Sequence, residues 1–165
     1  MARREQDEVD VLVDAWRRER PDLDLAPVEV FSRIGRLARH LDLARRQAFR
    51  DHEIEPWEFD VLSALRRAGA PYELSPGRLV RETLVTSGTM TNRVDRLTAR
   101  GLVERLPDPD DRRGVLVQLT PEGKDTVDGA FESLLDAEHE LLSDLSDRDR
   151  SRLAALLRPL LAPFA

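Results

Sequence analysis

Apolar residues recur at helical spacing along most of the chain, and loop-forming stretches separate these periodic segments. The pattern predicts a first helix over residues 8–20, a long second helix from Pro27, and a third helix over residues 55–67. Pro21 follows the first helix and Gly69 follows the third, as helix-ending residues commonly do. The second helix is predicted to carry an arginine-rich face opposite its apolar stripe.

A pair of helices joined by a short turn is predicted next. Ser75 and Pro76 mark a helix start, because Ser caps free amide groups and Pro tolerates the first helical position. Thr86 opens a second helix, which Gly101 ends. The apolar sides of the two helices are supplied by Leu79, Val80 and Leu84 and by Met90, Val94 and Leu97. This is the order of a helix-turn-helix, whose second helix enters the DNA major groove.

Two short runs rich in branched residues, 102–106 and 115–119, predict strands after this helix pair. Pro, Asp and Gly between them predict a hairpin loop, whose tip carries Arg112 and Arg113. Arginine suits a narrow minor groove, because the electrostatic potential there is strongly negative. The predicted fold is therefore mainly α with a small β-hairpin wing, a winged helix-turn-helix over residues 55–120.

The C-terminal part of the chain predicts two further helices. One begins at Thr120 and runs to about Leu145, and the other follows Ser146. The last helix is leucine-rich, and Pro159 is expected to bend or end it. Such a stripe is too apolar to remain exposed to water.

Packing against a second copy of the chain would cover this apolar surface. Most homo-oligomers are two-fold dimers, and a two-fold dimer presents two recognition helices to a palindromic DNA site. We therefore assign dimerisation helices to residues 1–54 and 121–165, with the DNA-binding domain at 55–120. The sequence indicates one compact chain without an independent second domain.

Composition narrows the possible classes. The chain has 165 residues and no cysteine, and it lacks both an apolar run of about 18 residues and the apolar core of a signal peptide. We therefore expect a cytoplasmic protein without disulfides or a membrane span. The three histidines have no metal-ligand spacing, and no nucleophile motif or phosphate loop is present. Neither a metal, a cofactor nor an enzymatic activity is expected.

The net charge of −6 argues against DNA binding at first, but the charge is unevenly distributed. Residues 31–50 hold six Arg and one Asp, net +5, and residues 75–114 hold eight Arg and six acids, net +2. Residues 122–149 hold ten acids against one Lys and one Arg, net −8. Because salt screens charges beyond about 8–10 Å, the local charge governs contact with phosphate.

The wing carries a recognisable motif. Residues 111–120 match the MarR-family wing signature, D-x-R-x-x-x-V-x-L-T, at each fixed position. Residues 91–97 and 101–105 resemble the recognition helix and first wing strand of that family. The resemblance spans roughly residues 55–145 and implies a dimeric, mostly helical repressor whose terminal helices form the dimer interface. It also implies that a small ligand weakens DNA binding.

The N-terminal third resembles the urate-responsive branch of the MarR family, which has an added first helix. The resemblance implies a ligand pocket to which residues 1–54 contribute. The residues that match this branch are Trp16, Asp60, Arg93 and Arg105. Arg105 would offer a guanidinium fork to a planar anion, and Trp16 an apolar wall. Asp60 and Arg93 are expected to pair until the anion competes for Arg93 and shifts the recognition helix.

The predicted DNA contacts lie at the start of the recognition helix and on the wing. They are Thr86, Ser87, Gly88, Thr89, Thr91, Asn92, Arg96, Arg112 and Arg113. Thr86 alternatively serves only as a helix cap, and Asp60–Arg93 and Trp16 have purely structural interpretations as a salt bridge and interface packing.

Three other functions stay open at this stage. An enzyme is the least supported. A winged helix used only for protein–protein assembly conflicts with the polar recognition helix and the arginine-tipped wing. The third is a MarR-type regulator of another ligand, such as a phenolic acid, another purine or an antibiotic. The sequence alone distinguishes poorly between these ligands and urate.

Overall fold

The computed structural model describes residues 6–111 and 114–164. Within this part of the chain, seven α-helices and three short strands follow one another. The elements are α1 Glu8–Glu19, α2 Ala26–Arg50, α3 Pro56–Arg67, β1 Glu73–Leu74, α4 Pro76–Thr83, α5 Ser87–Ala99, β2 Val103–Pro107, β3 Val115–Leu119, α6 Pro121–Leu141 and α7 Asp147–Leu161, followed by a 3₁₀ turn, Ala162–Phe164. The mainly helical winged fold is confirmed.

Capping side chains explain where the helices begin. Ser75, Thr86, Thr120 and Ser146 each accept a backbone N–H three residues on, at 3.4, 3.3, 3.0 and 3.2 Å respectively. Each cap satisfies an amide group that has no partner inside its own helix. The four predicted starts are therefore confirmed by the interaction on which the predictions rested.

The chain divides into two compact units, Met1–Leu43 and Ala44–Ala165, with the boundary inside α2. In the first unit, Val9, Val13 and Leu25 form a small core. The roles that we assign to residues 1–54, 55–120 and 121–165 stay predictions.

In the first unit, an arginine on α2 forms ion pairs with two carboxylates at the start of α1. Arg33 binds Asp7 at 2.8 Å and Asp10 at 2.7 Å. The Arg33 hydrogen bond lowers the pKa of the Asp7 carboxyl from 3.8 to about 2. The ionised Asp7–Arg33 pair therefore contributes its full stabilisation at pH values above 3.8, the ordinary pKa of the carboxyl. This stabilisation is lost as the pH falls through about 2.

The core of the second unit is built around α3. Val61, Leu62 and Leu65 of α3 are fully buried. Helices α4 and α6 and strand β3 pack against α3, while α5 packs against α4 and β2. Because α4, against which α5 packs, is itself packed on α3, the position of α3 influences the orientation of the second helix of the helix-turn-helix.

The wing is part of a three-stranded antiparallel sheet in the order β1-β3-β2. The hairpin of β2 and β3 is confirmed, with Arg105 opposite Val117. The sequence did not predict β1, because two residues carry no periodicity. Its Glu73 pairs with Gln118, whose side-chain amide also donates to the carbonyl of Pro71 at 3.1 Å.

Three details differ from the sequence-based expectations. Leu84, expected on the apolar side of α4, is instead its left-handed C-cap at φ 53° and is 92% exposed. Helix α6 ends at Leu141, ahead of the expected Leu145. Pro159 lies inside α7, which continues two residues to Leu161, so the helix does not end at this proline.

Residues 6–111 and 114–164 contain neither a candidate membrane span nor a candidate metal site. No helix there combines the length and the apolar character that crossing a bilayer requires. No group of His, Cys, Asp or Glu side chains is arranged to hold a metal ion.

Gly123 gives a stability prediction. A Cβ at Gly123 would lie 1.9 Å from the carbonyl oxygen of Leu102, so α6 could not approach the residue before β2 this closely with any side chain there. We expect Gly123→Ala to lower the free energy of unfolding by about 2–4 kcal/mol in urea titrations. Gly77→Ala is the control, because nothing lies within 4 Å of its added Cβ in α4. Equal stability of the two variants would contradict the close approach.

Candidate nucleic-acid interface

Helix α5 exposes a polar face and buries an apolar one. Met90, Val94 and Leu97 are buried in the core. The predicted base-contacting residues Ser87, Gly88, Thr89, Thr91 and Asn92 are all exposed. Helix α5 therefore presents amide and hydroxyl groups, which hydrogen-bond to base edges in the major groove.

Three threonine hydroxyls at the start of α5 already make local hydrogen bonds. The Thr86 hydroxyl caps α5 and lies 2.9 Å from the hydroxyl of Thr89. The Thr91 hydroxyl donates to the carbonyl of Ser87 at 3.1 Å. The cap explains Thr86 without any DNA contact, so its base-reading role stays a prediction. Asn92 makes no such local bond among the described residues, so its amide group has two donors and an acceptor available.

One flank of α5 is held against an aromatic side chain of α3. The guanidinium carbons of Arg96 and Arg93 lie 4.7 and 5.4 Å from the centroid of the Trp57 ring. Each such cation–π contact contributes about 0.5–1 kcal/mol at an exposed site. The same residues line a cavity of about 480 Å³, together with Gly88, Thr89 and Asn92.

The other flank of α5 faces the wing. Arg105 on β2 binds Asp95 of α5 at 2.6 Å. Arg93 and Asp95 are two residues apart, so at about 100° per residue their side chains point to nearly opposite sides of the helix. The structure therefore places Arg93 and Arg105, two of the predicted ligand residues, on different flanks of α5.

Asp60, the third predicted ligand residue, forms its ion pair with Arg45 of α2. The pairing of Asp60 with Arg93 that the sequence suggested is absent among the described residues, where Arg93 lies over the Trp57 ring instead. Asp60 lines a cavity of about 220 Å³ between α3 and the end of α4. Arg67 and Glu82 also line it and lie 3.6 Å apart across it.

Trp16, the fourth predicted ligand residue, belongs to the first unit and is 49% exposed. Arg112 and Arg113, the predicted wing contacts, lie outside the described residues. The loop that carries them closes through a hydrogen bond from the Asp108 amide to the Gly114 carbonyl at 3.1 Å. A Cβ at Gly114 would lie 2.8 Å from that of Asp108, so the loop requires glycine there.

A buried carboxylate fixes the far end of α5. Glu58 of α3 is 2% exposed, and its two oxygens accept hydrogen bonds from Arg100 at 2.7 and 2.8 Å. Glu58 also accepts the amide of Glu55 at 2.8 Å. Arg100, at the C-cap of α5, donates further to the carbonyl of Glu53 at 2.8 Å. These hydrogen bonds therefore hold the C-terminal end of α5 against the start of α3.

Sequence reasoning missed several residues that shape this interface. They are Arg45, Trp57, Glu58, Asp95 and Arg100. Each acts through a partner distant in sequence or on another element, so no local motif marks it. The one available signal was Glu58, a charged residue inside an otherwise apolar helical stretch, where burial requires a partner.

Comparisons with known proteins agree on one family. The model described as MarR family matches residues 52–114. The HTH-type transcriptional regulator PecS of Dickeya dadantii is 39% identical over 150 residues, which cover 91% of this chain and 90% of PecS. The HTH-type transcriptional repressor NicR of Pseudomonas putida is 32% identical over 144 residues, or 84% and 89% of the two chains.

A solved structure extends this agreement to three dimensions. A mutant MarR from Escherichia coli, complexed with operator DNA, has a TM-score of 0.70 and 29% sequence identity. The alignment covers 83% of this chain and 96% of that protein.

The buried Glu58–Arg100 pair gives a second prediction. Glu58→Ala leaves Arg100 and the Glu55 amide without their acceptor, and we expect the free energy of unfolding to fall by about 2–4 kcal/mol. Glu82→Ala is the control, because the Glu82 ion pairs are longer and more exposed. Its expected loss is below about 1 kcal/mol. Urea unfolding followed by circular dichroism measures both, and similar losses would show that Glu58 is not special.

Proposed function

Because this chain belongs to the MarR family of DNA-binding transcriptional regulators, we propose that it is a cytoplasmic homodimeric repressor of a palindromic operator, released by a small anion such as urate. The observation that carries this proposal is the exposed polar face of α5, held by α3 on one flank and by the wing on the other. Such a helix fits the major groove, while the wing reaches the adjacent minor groove or backbone.

Dimerisation is supported by the apolar surface of the C-terminal helices. None of the described residues of α7 is buried within the chain. The large apolar side chains that remain exposed on and after α7 are Leu156, Leu160, Leu161 and Phe164. A second copy of the chain would remove them from water and set two α5 helices on two half-sites about one DNA turn apart.

Repression is supported by likeness to a named repressor, NicR, over most of both chains. A dimer seated on an operator near a promoter excludes polymerase, so release of the dimer restores transcription. Relatives of this chain are named as transcriptional regulators, which disfavours an enzyme.

The anionic effector is proposed for the residues that resemble the urate-responsive branch, Trp16, Asp60, Arg93 and Arg105. The cavity beside Asp60 supports this in part, since Arg67 lines it and Arg45 pairs with Asp60. An anion entering there would be repelled by Asp60 and would compete with it for Arg45, and with Glu82 for Arg67. Loss of the Asp60 pair would then change how α3 meets α2, and α3 orients α5.

Operator binding with and without urate tests this proposal. Fluorescence anisotropy with DNA from upstream of the protein's own gene should show saturable, salt-dependent binding by two chains per site. Millimolar urate should release the DNA in wild type but not in Asp60→Asn. Binding that urate leaves intact would keep the regulator and exclude urate, so that phenolic acids, other purines and antibiotics would be tried next. No binding at low salt would favour a protein–protein interaction module.

The wing gives a separate prediction. Arg113→Ala removes the proposed minor-groove contact, and we expect operator affinity to fall at least about tenfold, or about 1.4 kcal/mol. Unchanged affinity of Arg113→Ala at physiological salt would remove the wing from the mechanism.

A further inference from the structure

Trp57 is a large aromatic residue beside the DNA-facing helix rather than in the centre of the core. It is the second residue of α3 and is only partly buried, although it packs against the main core cluster. Its ring lies against two guanidinium groups, those of Arg96 and Arg93. These arginines are three residues apart on α5 and therefore share one side of that helix.

The two arginines differ in their electrostatic partners from four other arginines of this unit. Arg45, Arg66, Arg100 and Arg105 each bind a carboxylate within the described chain. Among the same described residues, no carboxylate lies within ion-pair distance of Arg93 or Arg96; their guanidinium contact is the Trp57 ring. The Trp57 ring does not neutralise the guanidinium charges, and it does not accept the N–H hydrogen bonds that a carboxylate would accept. These guanidinium donors therefore remain available to an anion.

The surroundings of the two arginines also favour an anion. The cavity of about 480 Å³ beside them is lined by Trp57, Gly88, Thr89, Asn92, Arg93 and Arg96, none of which is acidic. Besides the guanidinium groups, Asn92 offers an amide and Thr89 a hydroxyl. The cavity opens on the side of α5 that carries the exposed polar residues. An anion bound there would lie beside the DNA-reading face.

We propose that Trp57 is a positioning residue for DNA binding, which holds Arg93 and Arg96 where they meet backbone phosphates on the α3 side of α5. This inference rests on the proposed DNA binding, and it gives Arg93 a phosphate contact in the DNA-bound state in addition to its proposed contact with the effector. A free arginine side chain loses much rotamer entropy when it is ordered. Trp57 imposes that order before DNA arrives, so the phosphate contact forms at a lower entropic cost.

A thermodynamic cycle tests the proposal on the full-length protein. Operator affinity is measured for wild type, Trp57→Leu, Arg93→Ala/Arg96→Ala and the triple variant, each over a series of salt concentrations. We expect the arginine double variant to lower the salt slope by about one to two, since each phosphate contact contributes about one. Trp57→Leu should weaken binding about three- to fivefold, and Trp57→Phe less, because phenylalanine keeps a ring face.

The decisive comparison is Trp57→Leu in the background that lacks both arginines. A positioning role predicts no further loss there, whereas an equal loss in both backgrounds would overturn the proposal and leave Trp57 a packing residue. Tyr72→Leu is the matched control, because the centroid of the Tyr72 ring lies 4.9 Å from the guanidinium carbon of Arg66, which belongs to α3 and not to α5. This variant is expected to bind the operator with wild-type affinity. Failure of the wild-type protein to bind DNA would instead overturn the proposed function itself.

Thermal unfolding of every variant keeps folding separate from binding. Should Trp57→Leu unfold below the working temperature, Trp57→Phe against the arginine variant completes the same cycle with a smaller expected effect. A loss for Trp57→Phe that persists without the arginines would count against the positioning role.

Discussion

The pairing of Glu58 with Arg100 is the constraint on which the geometry of the DNA-binding unit depends. A carboxylate that is 2% exposed is tolerated only when hydrogen bonds replace its lost water, and here Arg100 and the Glu55 amide supply them. The bonds join the first turn of α3 to the last turn of α5. Because α3 is buried among α4, α6 and the sheet, the direction of α5 is set by the core.

Trp57, the residue before Glu58, provides a second contact between α3 and α5. Trp57 and Glu58 are adjacent on α3, yet one contacts the exposed flank of α5 and the other its C-terminal end. Helix α5 is therefore held at two places by one turn of α3. A small movement of α3 would be passed directly to the DNA-reading face, which is the kind of coupling that a ligand-responsive regulator requires.

The arginines divide into two groups by their partners. Arg45, Arg100 and Arg105 bind carboxylates and so fix one element against another. Arg93 and Arg96 lie on an aromatic ring instead and keep their charge for an external anion. This division reconciles a net charge of −6 with DNA binding, because ten acids lie in residues 122–149, whereas free guanidinium groups lie on α5.

The sequence by itself determined the helices, their starting residues, the wing and the family. These follow from local rules: a capping side chain acts within three residues, apolar periodicity repeats within one helix, and the wing signature spans ten residues. Only the tertiary structure decided that β1 joins the sheet, that Leu84 is an exposed cap and that Asp60 binds Arg45. It also decided that Trp57 faces the α5 arginines. Each of these depends on which elements pack together. Trp57 and Arg93 are 36 residues apart, and Glu58 and Arg100 are 42 residues apart, so neither contact leaves a local pattern in the sequence.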